Sequence, residues 1–251
     1  MNDPVWLHVF VDVPAESAQT ARDFWSAATG WAVGEPWQGR PEFTSLEPAD
    51  GAAYVHVQEI GGPPRLHLDL AVDDLDAQRD RLVGLGATAG ARTDDWQVMQ
   101  SPGGLPFCLC HEPWPHDRPG PVIWPDGHRS RLTQLCIDVP EAVIDAEREF
   151  WCAATGWRYE PHRDATSEFQ GKLYPPDGGT AHLLLQRLGP DDDGDRTRAH
   201  IDLDTDDRQA EVDRLVELGA RLIGPGYGGW VVLEDPVGLQ FCVTMQNREL
   251  A

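Results

Sequence analysis

The feature that most constrains this chain is that it contains itself twice. Residues 12–31, DVPAESAQTARDFWSAATGW, fall on 138–157, DVPEAVIDAEREFWCAATGW, with 11 of 20 positions identical. Residues 65–87 fall on 198–220 with 14 of 23 identical, among them His67/His200 and Asp69/Asp202. Further on, Pro102-Gly103-Gly104-Leu105 meets Pro236-Val237-Gly238-Leu239, and Phe107-Cys108 meets Phe241-Cys242. A period near 130 residues is too long for a solenoid unit and marks duplicated domains. Between the copies lie prolines 113, 115, 119, 121 and 125 with Gly120 and Gly127. Proline fixes φ and lacks a ladder donor, so this stretch reads as an extended connector that packs along a domain surface through Trp114, Ile123 and Trp124. The expected division is 1–113, a linker over 114–128, and 129–247.

Each copy has the same local grammar. Leu7–Val13 alternates as a strand and stops at Pro14. Ala21, Phe24, Trp25 and Ala28 then recur at helical spacing, with Gly30 just past the end. Strands are expected over Phe43–Leu46 and Ala53–Ile60. The pattern restarts with a strand at Leu66–Val72, a helix from Leu75 to Leu85, and strands at Gln97–Gln100 and Pro106–Cys110. Trp25, Trp31, Trp151 and Trp157, on or just after the amphipathic helices, are core candidates. Period-two alternation puts His8, Phe10, His56, Gln58, His67, Asp69, Cys108 and Cys110 on the face away from the helices. Such a face, curved, makes a cleft.

Composition narrows the function classes. The 251 residues carry a formal charge of −22, which opposes phosphate backbones and anionic headgroups that bind Lys/Arg clusters. Nucleic acid and membrane partners are therefore not expected. No apolar run reaches the roughly 18 residues of a spanning helix, the start lacks a signal-peptide pattern, and five cysteines form no disulfide framework. A reduced, cytoplasmic protein is expected.

The phrase Asp-Val-Pro…Phe-Trp-x-Ala-Ala-Thr-Gly-Trp and the closing Pro-x-Gly-Leu-x-Phe-Cys, each present twice, resemble the vicinal oxygen chelate superfamily. Its members include glyoxalase I, bleomycin-resistance-type binding proteins, fosfomycin-resistance enzymes and extradiol dioxygenases. The resemblance covers both copies and is strongest to the glyoxalase-like branch. It implies an α+β fold, in which two βαβββ units per domain form a cup-shaped mixed sheet with helices on the outer face. In metal-using members, the resemblance implies ligands of the set His or Gln, Glu, His, Glu. The matching pleat positions are His8, Gln58, His67 and Cys108, then Gln134, Gln186, His200 and Cys242. Both carboxylates are absent from these positions, and Gln cannot move a proton at neutral pH. Glyoxalase I chemistry and extradiol cleavage are therefore not expected. His8, His67 and Cys108 make a two-nitrogen, one-sulfur set acceptable to zinc with an open fourth position; the other reading is a buried Cys that packs as a small hydrophobe.

The leading expectation is a metal-independent small-molecule binder without cofactor, taking an apolar or aromatic compound in each cup. Its contacts would come from His8, Phe10, His56, Gln58, Trp96 and Cys108, and from Gln134, Gln186, Trp230 and Cys242. Met99 is expected beside them. The alternative is a lyase- or isomerase-type enzyme using His67/Asp69 or His200/Asp202 as acid and base, with or without a divalent metal in the first domain. A scaffold for protein contacts is a third class. The duplication supplies both halves of a pseudo-dimer in one chain, so a monomer is expected. His111, His116, His128 and His162 carry no signal, and the acidic run from Pro190 to Asp195 reads as a solvated loop.

Overall fold

The structure, a computed structural model, describes residues 4, 6–112, 116–189, 192, 194–225 and 229–246. Linker residue Trp114, loop residues Pro190, Asp191 and Asp193, and the expected repeat end at 247 lie outside the described residues.

The first repeat forms an eight-stranded sheet from β1 (Leu7–Pro14), β2 (Ala32–Trp37), β3 (Arg40–Glu47), β4 (Val55–Ile60), β5 (Arg65–Val72), β6 (Thr88–Arg92), β7 (Trp96–Gln100) and β8 (Pro106–His111). Their spatial order is β2-β3-β4-β1-β5-β8-β7-β6. Helix α1 (Ala18–Thr29) follows β1, and α2 (Leu75–Gly84) follows β5. After the short β9 (Val122–Ile123), the second repeat gives β10 (Arg129–Val139), α3 (Ile144–Thr155), β11 (Arg158–Pro161), β12 (Phe169–Tyr174), β13 (His182–Arg187), β14 (Arg198–Thr205), α4 (Arg208–Glu217), β15 (Arg221–Pro225), β16 (Trp230–Glu234) and β17 (Gln240–Thr244). The second sheet repeats the first strand for strand, as β11-β12-β13-β10-β14-β17-β16-β15. Among the described residues, two mixed sheets with four α-helices bear out the α+β expectation.

Local chemistry explains the boundaries. Gly30 (φ 72°) and Gly156 (φ 65°) close α1 and α3 in the left-handed conformation that a Cβ disfavours. Asp74 and Asp207 cap α2 and α4 through Ala77 N–H and Ala210 N–H. Strands β2 and β6 went unread in the sequence because both are exposed along almost their whole length, so no apolar alternation marks them. The connector also departs from expectation. Val122 and Ile123 do form strand, pairing with Ser130 and Arg129, but Pro121 and Pro125 limit it to two residues. Ile123 is 70% exposed rather than packed.

By its internal contacts the chain divides into two compact units, and each draws on both repeats. One takes Met1–Val9, His67–His116 and Leu135–Ala199; the other takes Phe10–Leu66, Asp117–Gln134 and His200–Ala251. Within the first, Phe150 and Trp151 of α3 meet Phe107 of β8 at ring separations of 5.9 and 5.3 Å. Glu147 of α3, fully buried, accepts from Ser101 Oγ at 2.5 Å, from Trp151 Nε1 at 2.6 Å and from Gly103 N–H. Arg81 of α2 donates to the end carbonyls Ala153 O and Ala154 O at 2.8 and 2.7 Å. Those carbonyls have no partner inside the helix. Within the second unit the same devices recur. Phe24 and Trp25 of α1 meet Phe241 at 5.8 and 5.3 Å, and Trp25 Nε1 donates to Asp235 at 2.9 Å. Arg214 of α4 donates to Ala27 O and Ala28 O, both at 2.9 Å. Trp25, Trp31, Trp151 and Trp157 are all buried.

His128, which carried no signal in the sequence, is buried in the second unit. Its Nε2 lies 2.8 Å from Glu211 Oε2 and its Nδ1 2.6 Å from Asp126 Oδ1. Glu211 also holds Arg214, whose guanidinium lies 3.5 Å over the Trp124 ring. Burial alone would lower the His128 imidazole, but the bonds to Glu211 and Asp126 outweigh it and raise the group above its ordinary value of 6.5. A raised folded-state value means that the stabilisation is full below about pH 6.5 and is lost as pH rises through the raised value. Melting temperature is therefore expected to fall on the alkaline side of pH 6.5, and His128→Gln to flatten that fall. An unchanged slope in the variant, read by thermal unfolding across pH, would refute the assignment.

Candidate functional site

Strands β1, β5 and β8 bring several of the expected residues together in the first unit, but in a different grouping from the one the pleat count implied. His8 does not join His67 and Cys108 in a three-donor cluster. Its Nε2 bonds Glu112 Oε2, and with Cys110 these form one cluster of donor atoms. Glu112 is the residue that the sequence reading missed. It continues the 108, 110, 112 alternation one step past the end of β8, and that parity was the available signal. Its other oxygen, Oε1, lies 2.9 Å from His116 Nε2, so His116 too gains a place. Burial alone would raise the Glu112 carboxyl, yet the bonds to His8 and His116 hold it below the usual range. This carboxylate is committed on both oxygens.

The second cluster is His67, Asp69 and Cys108, whose ligand atoms all lie within 4.8 Å of one another. Asp69 and Cys108 are direct partners in the parallel β5–β8 register. His67 Nε2 stands 3.3 Å from Asp69 Oδ1, yet outside hydrogen-bond geometry, and Asp69 Oδ1 is buried without a hydrogen-bond partner. Arg65, two residues before His67 on β5, binds Asp12 at 2.8 Å. Burial, followed by the charge of Asp69, pushes the Cys108 thiol up to about 11; Cys110 is raised in the same direction by burial. Neither sulfur is a ready thiolate nucleophile at neutral pH.

In the second unit the arrangement repeats with His200, Asp202 and Cys242. Asp202 pairs with Cys242 across β14–β17. His200 Nε2 lies 3.3 Å from Asp202 Oδ1 and 3.5 Å from Cys242 Sγ. Gln134 donates to Asp202 Oδ2, while Oδ1 is again buried and unpartnered. In a nucleophile–base–carboxylate relay the carboxylate and the nucleophile sit on opposite ring nitrogens. Here both converge on Nε2, so the set does not have relay geometry. Gln186, the other expected contact, belongs to the first unit and accepts from Cys136 Sγ at 3.1 Å.

An aromatic wall stands in the second unit. Phe10 lies 4.7 Å from His56, 6.0 Å from Phe43 and 6.3 Å from Trp37 between ring centres. Trp37 stacks on Phe43 at 5.0 Å and 20°. Ser45 Oγ anchors both Trp37 Nε1, at 2.9 Å, and His56 Nδ1, at 3.0 Å. Gln58 is opposite Phe43 in register and shares its face. Phe10, His56 and Gln58 were anticipated; Trp37 and Phe43 were not, because Trp37 closes the unread strand β2. Trp96 and Trp230, half-buried, lie opposite Cys110 and Thr244 and share their faces. Met99 does not join them: it is fully buried opposite Phe107, on the helix-packed side.

This strand order, doubled, with chemistry-bearing side chains gathered on β1, β5 and β8, defines a tandem vicinal oxygen chelate fold. The glyoxalase-like domain model matches residues 8–110 and again 134–244, and the chain belongs to that family. Among solved structures, the Mn(II)-bound glyoxalase from Novosphingobium aromaticivorans is similar at TM-score 0.66 and 15% identity, over 100% of this chain and 85% of that one. The 2,2',3-trihydroxybiphenyl 1,2-dioxygenase from Sphingomonas wittichii strain RW1 is similar at TM-score 0.61 and 14% identity, over 97% and 91%. A xylose isomerase-like TIM barrel/4-hydroxyphenylpyruvate dioxygenase fusion protein is similar at TM-score 0.63 and 14% identity, and this chain spans 50% of it. At such identities the likeness is one of fold. No curated protein sequence matches at a significant level. No helix among the described residues is long and apolar enough to cross a membrane.

Proposed function

We propose that the chain binds a small apolar or aromatic molecule by stacking, as a sequestering member of its family, with no metal in that contact. The observation that carries this reading is the wall of Phe10, Trp37, Phe43 and His56. Trp37 is 36% exposed while Phe10, Phe43 and His56 are buried, so a rigid aromatic floor supports one available indole. Rings held by their neighbours lose little entropy on stacking a ligand, and an aromatic pair adds about 0.5–1.5 kcal/mol beyond its buried area. The −22 charge favours neutral or cationic ligands over anions. We also infer that the chain acts as a monomer. Each compact unit already takes a helix and its packing partners from both repeats, so no second copy is needed to complete one.

The test is calorimetric titration of chelator-treated protein with a panel of planar aromatic compounds. Binding is expected without added metal, weakened about tenfold by Trp37→Ala, a loss of about 1.4 kcal/mol. Affinity equal in wild type and Trp37→Ala would overturn the assignment of the wall. Conversion of the ligand, abolished by His67→Ala or His200→Ala, would replace sequestration with the enzymatic alternative.

A further inference from the structure

The family's metal-using pattern, with two Glu among its four ligands, does not fit either repeat. Gln58 and Cys108 occupy the carboxylate positions in the first, Gln186 and Cys242 in the second. Glu112, the carboxylate that bonds His8, is already held on both oxygens. Manganese and its hard relatives prefer oxygen donors, and thiols select softer ions.

What the two repeats share instead is a His-x-Asp pair on one strand with a Cys opposite the Asp on the next. We propose that each repeat carries a zinc-class metal site with one nitrogen, one oxygen and one sulfur donor: His67, Asp69 and Cys108, and again His200, Asp202 and Cys242. The donor spacing carries the argument. Zinc binds imidazole nitrogen and carboxylate oxygen at about 2.0–2.1 Å and thiolate sulfur at about 2.3 Å, tetrahedrally. The edges of such a tetrahedron are about 3.3 Å for nitrogen to oxygen and about 3.6 Å for nitrogen to sulfur. The protein holds His67 Nε2–Asp69 Oδ1 and His200 Nε2–Asp202 Oδ1 at 3.3 Å, and His200 Nε2–Cys242 Sγ at 3.5 Å. At His200 the convergence of Asp202 and Cys242 on one ring nitrogen, wrong for a relay, is the geometry of donors around one ion.

A second, independent observation points the same way. Asp69 is 8% and Asp202 3% exposed, and in each the oxygen facing the imidazole has no hydrogen-bond partner. A buried carboxylate oxygen left unsatisfied is costly and calls for an ion or water. That the same atom is orphaned in both repeats ties the feature to the shared constellation. Gln134, on Asp202 Oδ2, is a positioning residue that leaves Oδ1 directed at the cluster. The fourth zinc position is left to water or to a heteroatom of a ligand. This inference does not rest on the aromatic wall, and the two fail separately: one is read by metal content, the other by organic-ligand affinity in chelated protein.

The test uses the full chain, freed of metal and loaded with zinc or cobalt(II), then desalted. Two equivalents per chain are expected, with a sulfur-to-cobalt charge-transfer band in the near ultraviolet. Cys108→Ser and Cys242→Ser should each lose one equivalent and half the band. Wild-type protein alone decides the main point, so a variant that folds poorly does not rescue the idea. Cobalt bound without the sulfur band, fewer than two retained equivalents, or metal content unchanged in both serine variants would overturn it.

Discussion

Residues 1–113 produced alone should show no cooperative unfolding transition as a monomer, whereas the full chain unfolds as a cooperative structure. The cut removes from α1 the ring of Phe241 and the carboxylate of Asp235, and from Phe107 the rings of α3. Each large aromatic buries about 150–250 Å², worth about 25 cal/mol per Å². Exposing Phe24, Trp25 and Phe107 together is a loss on the order of 10 kcal/mol, comparable with the whole stability of a typical domain, about 5–15 kcal/mol. Circular dichroism and sedimentation of the fragment would settle the matter: a stable, cooperatively melting monomer would contradict the shared cores. Mixing the fragment with residues 114–251 should restore the transition.

Glu147→Ala is the single substitution expected to do most damage. It strips an acceptor from Ser101 Oγ–H, Gly103 N–H and Trp151 Nε1–H at once, leaving buried donors without partners. Breaking such a network costs about 3–5 kcal/mol, which lowers the melting temperature of a chain of this size by about 10 °C. The carboxyl also leaves a pH signature. Burial raises it above its ordinary 4.5 despite the three hydrogen bonds, which pull the other way. A raised acid is protonated more readily folded than unfolded, so this group's titration costs stability as pH rises from 4.5 through the raised value. The advantage of wild type over Glu147→Gln should accordingly be larger on the acid side of that window than above it. A margin that grows with pH would mean that the carboxyl is lowered rather than raised.

Much of the fold was legible because its signals are local. The helix stripe of Ala21, Phe24, Trp25 and Ala28, the glycines that end α1 and α3, and the period-two run over β1 each act within a few residues. Strands β2 and β6 were not legible because exposure removes the apolar alternation that would mark them. The loss carried over to the candidate site: with β2 unread, Trp37 had no strand to place it beside Phe43. The His-x-Asp pairs were legible, since residues two apart on a strand share a face. Their cysteine partners followed from the repeated Phe-Cys phrase. The separation of His8 from that set was not, because a pleat count assigns faces but not positions along neighbouring strands.

The sequence by itself determined the duplication, the order of elements in each copy, and which residue types line the helix-free face. Only the tertiary structure decided which copy each helix packs against. Phe24 and Trp25 could have met the Phe107 strand of their own repeat or the Phe241 strand of the other, and the two strands read almost alike. A near-symmetric repeat offers the same apolar surface in both places. What separates the outcomes is the position of a few polar partners, Asp235 beneath Trp25 and Glu147 beneath the turn at Ser101. These occupy non-equivalent places in the two copies, and they come into reach only once the chain has folded.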